Sequence, residues 1–264
     1  MDVDLTIRIS IEELALAFVL NGQSESANAL LTGSLERELS QDEAIGRLAA
    51  AGHTLLGKGL VELSADGNVV SSPILTEIVH VMTAARYTLR YSLSSPEGQR
   101  ALSYHFADNG IYEHWLDEGV IHVITRVNVE ELVTACALFF ELESYQPTPD
   151  AAGVLAEPLF RQALRQKQAM DAETLLRGAL PEALCRPLSE DAAHTKAIGD
   201  VLWIRYQENR EPVSDEGFLM VFGAERFWLF EPVQRDNGEA KIRLLPGTID
   251  ALQQGVRQIV SKYI

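Results

Sequence analysis

The sequence predicts an α/β chain of the α+β type, built as two duplicated halves around an antiparallel sheet with flanking helices. Three observations predict it. A long pattern recurs: residues 100–142 read RALSYHFADNGIYEHWLDEGVIHVITRVNVEELVTACALFFEL, and residues 217–260 read GFLMVFGAERFWLFEPVQRDNGEAKIRLLPGTIDALQQGVRQIV. Each copy runs through a short apolar strand, a polar turn, an aromatic-rich strand, a second turn with glycine, a third strand and an amphipathic helix. A unit of this length that occurs twice is a duplicated half, whereas solenoids stack shorter units three or more times. Turn pairs such as Asp66-Gly67 and Asn109-Gly110 stand between apolar segments at hairpin spacing. The segments ahead of each copy carry helical periodicity behind helix-start signals. The expected organisation is an N-terminal half over residues 1–146 and a C-terminal half over 154–264, related by a pseudo-twofold axis within one compact domain.

The elements follow in order. Ser10-Ile-Glu-Glu13 fits a capping box, and Ile11, Leu14, Ala15 and Phe18 then share one helical face, stopped at Asn21-Gly22. Ser40-Gln-Asp-Glu43 is a second box, starting a helix with Ala44, Leu48, Ala51 and Leu55 on its apolar face. Leu60 to Leu63 and Val69-Val70 make a small hairpin around Asp66-Gly67, and Pro73 opens a further helix at its first position. Tyr87 to Leu93 alternates as a half-buried strand. In the first copy, Asn109-Gly110 suits a type I′ turn, Asp117-Glu-Gly119 makes the next turn, and Asn128 caps a helix from Val129 to Leu142. Ser144 to Gly153 is the expected linker, with two prolines and a terminal glycine. Residues 154–199 read as helices over 154–170, 171–180 and 189–198, interrupted by Pro181 and Pro187. Val201 to Gln207 then matches Tyr87 to Leu93 in position, and the second copy closes the chain.

Composition limits the function classes. The net charge is −16, with residues 1–146 carrying 8 basic and 21 acidic side chains. Phosphate affinity needs clustered Lys and Arg, so this half repels polyanions. Helix, helix, hairpin is also the order of a winged helix-turn-helix, and a winged-helix DNA-binding regulator is one alternative reading. The helix that would enter the groove offers Arg47 against Asp42 and Glu43, so a winged-helix-like subdomain without nucleic acid is expected. Two distant cysteines, Cys136 and Cys185, form no disulfide framework and fit a reducing, cytoplasmic setting. The segment MDVDLTIRIS lacks a secretory apolar core, and no apolar run reaches a membrane-spanning length.

No motif declares catalysis. His105, His114 and His122 fall on three adjacent strands and, with Asp108 and Glu113, imitate a metal site. Strand alternation alone gives no reason for them to converge, and they are read as solvated or core-edge side chains. Gly57-Lys58-Gly59 lacks the rest of a phosphate loop, no G-x-S-x-G elbow occurs, and Cys136 has no basic neighbour to activate it. The expectation is a protein that is not an enzyme, with no catalytic residues, no metal and no cofactor. A small-molecule enzyme remains the other alternative.

The stretches ISIEELALAFVLNG, QDEAIGRLAAAGHTLLGKGLVEL, SSPILTEIVHVM, RALSYHFADNGIYEHWL and VNVEELVTACALFF together resemble the EspG-type chaperones of type VII (ESX) secretion. Most of the chain is covered, through apolar spacing, with Gly59-Leu60 the near-literal match. The helix after the meander departs from that family, with Phe139-Phe140-Glu141 in place of a Leu-Pro step. The resemblance implies a pseudo-twofold α/β fold and a cytosolic adaptor that binds a helical secretion substrate and keeps it soluble. The sequence itself is compatible with a homo-oligomer. No partner-binding residue carries over from it.

The residues themselves offer one candidate surface. Trp203 lies on the strand side of Arg205, Trp228 on that of Arg226, and Trp115 on that of Glu113. A half-buried sheet turns its polar side to water, and Trp and Arg are favoured binding anchors. Either the protein's own helices cover these rings, or the two halves pack there, or Trp115, Trp203, Arg205, Arg226 and Trp228 form a partner-binding surface.

Overall fold

The computed structural model describes residues 6–35, 39–150, 152–207, 211–236 and 239–264. Among them the order is β1 (Thr6–Ser10), α1 (Ile11–Leu20), α2 (Ser24–Leu35), α3 (Gln41–Gly57), β2 (Val61–Leu63), β3 (Val69–Ser71), α4 (Pro73–Ala84), β4 (Tyr87–Ser95), β5 (Gly98–Ala107), β6 (Gly110–Asp117), β7 (Ile121–Val127) and α5 (Val129–Phe139). The second run is β8 (Gly153–Ala156), α6 (Glu157–Leu164), α7 (Ala169–Leu176), α8 (Glu182–Ala193), β9 (Ala197–Tyr206), β10 (Pro212–Phe222), β11 (Phe227–Asp236), β12 (Glu239–Leu245) and α9 (Ile249–Ser261). The class is mixed α/β with antiparallel pairing, as expected. The strand that opens each run was not expected. β1 alternates exposed Thr6 and Arg8 with buried Ile7 and Ile9, then passes into α1 without a turn, because Ser10 ends the strand and caps the helix.

The chain separates into two compact units, residues 1–86 with 104–127, and residues 87–103 with 128–264. The boundary expected between 146 and 154 lies inside the second unit. That stretch is tied down: the Gln146 amide donates to the Glu225 carbonyl (2.7 Å), and the Gly247 amide donates to the buried Thr148 Oγ1 (2.6 Å). The first unit orders its strands β1-β7-β6-β5, and the second β5-β4-β9-β10-β11-β12-β8, with β5 contributing to both.

In the first unit Ile7, Ile9, Tyr112 and Ile124 pack beneath Leu14, Phe18, Leu75 and Ile78 of α1 and α4. The Ser10 capping box is complete, since the Glu13 amide donates to Ser10 Oγ (3.2 Å) and the Ser10 amide to Glu13 Oε2 (2.6 Å). At Ser40 the side-chain oxygen accepts from the Glu43 amide (3.3 Å). The type I′ turn stands at Glu118-Gly119, where φ is 51° and 71°, and not at Asn109-Gly110, where only Gly110 has positive φ. In the second unit Trp228 and Phe230 of β11 and Ile242 and Leu244 of β12 pack against Phe160, Leu184 and Leu188 of α6 and α8. The helical stretch is cut differently from the expectation. Val154 and Leu155 belong to β8, Pro181 is the N-cap of α8, and Pro187 lies inside α8. The α5 helix ends at Phe139 and is followed by a 3-10 turn at Leu142–Ser144.

Candidate functional site

The strand register decides where each tryptophan points, because directly paired residues share a face. Trp203 of β9 pairs with Leu89 of β4 and Glu216 of β10, and Val201 pairs with Phe218. Met220 lies two residues beyond Phe218 and pairs with Leu229 of β11. Trp203, Val201, Phe218, Met220 and Leu229 thus share one face. There α9 approaches so closely that a Cβ on Gly255 would collide with the Phe218 ring. Trp228 pairs with Val221 and lies on the opposite face, which the α6–α8 layer covers.

These positions correct the premise of a solvent-facing tryptophan side. Trp203 is 2% exposed and Trp228 fully buried. The reason is layering. All four residues Phe227 to Phe230 are buried, so β11 is covered on both faces, and face polarity along its sequence says nothing about water. Trp228 Nε1 and Arg226 Nε both donate to the buried Asp191 carboxylate, at 2.8 and 2.9 Å. Gly223 abuts that carboxylate so closely that no side chain would fit. Arg226 and Trp228 are thus joined with Asp191 in a structural network.

Trp203 sits in a different setting. Its ring lies 5.4 Å from Tyr87 and 4.8 Å from Tyr263, and those two tyrosines are 5.3 Å apart, so each ring touches the other two. Beside it Glu216 accepts from Lys262 Nζ (2.6 Å) and from the Tyr263 hydroxyl (2.8 Å), and these two bonds hold its carboxyl below the usual range against the opposing effect of burial. Arg205 is exposed on the same strand side.

In the first unit Trp115 is half-buried on β6 and pairs with Val123. The other side of β6 carries an arrangement the sequence reading missed. His105 Nε2 lies 3.4 Å from His114 Nδ1, and His114 Nε2 lies 2.8 Å from His122 Nδ1. The His114 and His122 rings stack at 5.1 Å. Burial pushes His105 and His122 down to about 4, and His114, flanked by two imidazoles as well as buried, to about 3. All three are therefore neutral at pH 7. Since Leu116 pairs with His122, His114 is its diagonal neighbour, and counting outward from the Glu118-Gly119 turn would have revealed this. The two nitrogens of His114 go to different neighbours, so the three rings share no common point for a metal ion.

An open cleft of about 430 Å³ lies between α1, α3 and the start of β7. Its cations are matched, Arg47 with Glu12 and Lys58 with Glu13, each at 2.8 Å. Cys136 and Cys185 are buried, and burial pushes the Cys136 thiol up to about 12, so it is no nucleophile at neutral pH. Among the described residues no cluster of His, Cys, Asp and Glu is arranged for a metal, and no helix is long and apolar enough to cross a membrane.

Comparison with solved structures matches the type VII secretion system chaperone EspG5 of Mycobacterium tuberculosis, determined in complex with a PE25-PPE41 dimer. The TM-score is 0.70 at 13% identity, over 97% of this chain and 96% of that one, which gives this chain an EspG-type fold. HtdX of Mycobacterium tuberculosis aligns over 91% of this chain and 98% of its own at 11% identity, with a TM-score of 0.15. A comparison with curated proteins finds no match. The family model described as "Uncharacterised protein YfjC" matches residues 6–245, and the chain belongs to that family.

Proposed function

We propose that this protein is a non-enzymatic adaptor of the EspG kind, a cytoplasmic chaperone that binds a helical secretion substrate and keeps it soluble. The observation that carries the reading is the similarity to EspG5 along nearly the full length of both chains. A fold shared to that extent gives the two chains the same backbone framework, although fold alone does not dictate function. The buried thiols, the matched charges of the cleft and the neutral histidine ladder support a binding role, because none supplies an activated nucleophile or an acid–base pair. The acidic balance disfavours nucleic acid as the partner.

The test is affinity purification of the tagged full chain from its own cells, with mass spectrometry, followed by co-expression with the leading candidate. The reading expects a helical exported protein that becomes soluble only when the chain is present. A partner set without exported proteins, or a candidate equally soluble alone, would overturn it.

A further inference from the structure

The cluster around Trp203 is built in an unusual way. A buried tryptophan normally receives its cover from the core, but one of the three rings here comes from Tyr263, beyond the last turn of α9. Tyr263 is 37% exposed and Ile264 is 70% exposed, so this cover sits at the surface. Two contacts place it: the ring seats against Tyr87 and Trp203, while Lys262 Nζ and the Tyr263 hydroxyl both donate to Glu216. Glu216 and Trp203 are direct cross-strand partners on β10 and β9, so the carboxylate and the aromatic seat are adjacent parts of one surface. That surface belongs to strands, which hold it rigidly, whereas its occupant lies past a helix end.

We propose that Tyr87, Trp203 and Glu216 form an acceptor site for an aromatic side chain next to a lysine or arginine, filled in cis by Lys262 and Tyr263 and opened to a protein partner by exchange. The chemistry is that of the occupant. A ring enters between two aromatic rings, and its neighbouring cation meets a carboxylate held ionised by the hydrogen bonds it accepts. Exchange is feasible because the displaced segment loses contacts that the incoming one remakes. The cis segment competes at an effective concentration on the order of millimolar, so a partner must carry further contacts to displace it. This deepens the adaptor reading, on which the existence of a protein partner rests. It also keeps Trp203 as a partner contact, with the ring covered in the free protein.

The test needs no secretion substrate. In the full chain, Tyr263→Ala should raise acrylamide quenching of tryptophan fluorescence, and the rise should vanish in the Trp203→Phe/Tyr263→Ala double variant. Titrating acetyl-Ser-Lys-Tyr-Ile, the sequence of residues 261–264, into the Tyr263→Ala protein should restore the shielding. The same peptide with alanine for tyrosine should bind about tenfold more weakly or worse, as expected for loss of an aromatic anchor. Adding Glu216→Ala should weaken the tetrapeptide as well. Unchanged quenching in Tyr263→Ala, no restoration at roughly 10 mM peptide, or equal effects of both peptides would overturn the proposal. So would a fall in Tm beyond about 10 °C, which would assign Tyr263 to the core. Failure here leaves the adaptor reading standing, and failure of the affinity purification leaves the peptide result standing.

Discussion

An imidazole withdrawn from water is held neutral, and three of them in a row, His105 and His122 buried and His114 partly so, make the protein sensitive to acid. The histidines of the unfolded chain titrate near 6.5, while His105 and His122 titrate near 4 and His114 near 3 in the folded state. Between these values the unfolded chain binds protons that the folded one refuses, so stability is complete above pH 6.5 and falls as pH drops toward 4. Each of His105 and His122 accounts for roughly 3 kcal/mol across that window. Urea unfolding at pH 5 should show uptake of about three protons, and His114→Leu should reduce it to about two. A flat profile from pH 7 to 5 would contradict the buried ladder. Asp191 supplies a second prediction. Gly223→Ala pushes a methyl into its carboxylate, and the bonds from Trp228 and Arg226 must shift, so a loss of about 2–4 kcal/mol in urea is expected. At this scale the sequence was legible where a residue acts locally, as at the Ser10–Glu13 box and the Asn128 cap. It misled where the role depends on another strand. His114 and His122 meet only through register, and Trp228 is hidden by helices that its own strand does not announce.

Helices and strands add a contrast that the composition of any one element does not show. Among the glycines inside helices, Gly46 and Gly255 are there for different reasons. Gly46, midway along α3, has nothing within 4 Å of where a Cβ would stand, whereas Gly255 in α9 lies against the Phe218 ring. Glycine in a helix costs about 0.5–1 kcal/mol relative to alanine. Gly46→Ala should therefore raise the unfolding free energy measured in urea, and Gly255→Ala should lower it by about 1–3 kcal/mol as α9 is forced off β10. Equal effects would mean that α9 does not rest on that ring. The hairpins and most helices were readable, because turn pairs and caps act within a few residues. β8 was not, since Val154 and Leu155 fit a helical face as well as a strand, and four residues are too few for periodicity to decide. Pro187 was read as a helix end for a sound local reason. The α8 face of Leu184, Cys185, Leu188, Asp191 and Ala192 is buried, and that packing outweighs one lost backbone bond.

Along the whole chain the two runs of elements share one plan. Each opens with a short strand, passes through helices into a strand meander and closes with a helix, and in each the opening strand pairs antiparallel with the last strand of the meander, β1 with β7 and β8 with β12. The recurrence in the sequence revealed the meanders and the final helices, whose turns are strongly marked. It did not reveal the closing pairs, because contacts between the first and last strand of a half span more than 80 residues and leave no local pattern. The plan makes a paired prediction. Ile9 of β1 is fully buried opposite His122, and Leu155 of β8 is buried opposite Ile242. Each is an aliphatic side chain by which an edge strand grips the core. If the two strands do equivalent work, Ile9→Ala and Leu155→Ala should each cost about 2–5 kcal/mol, the range for truncating buried aliphatic residues. Urea unfolding with an unchanged m-value would register this as lost stability and not as a changed unfolded state. A cost under about 1 kcal/mol at one site and several at the other would mean that only one opening strand closes its half. The shared strand plan would then be a likeness of form without a shared structural role.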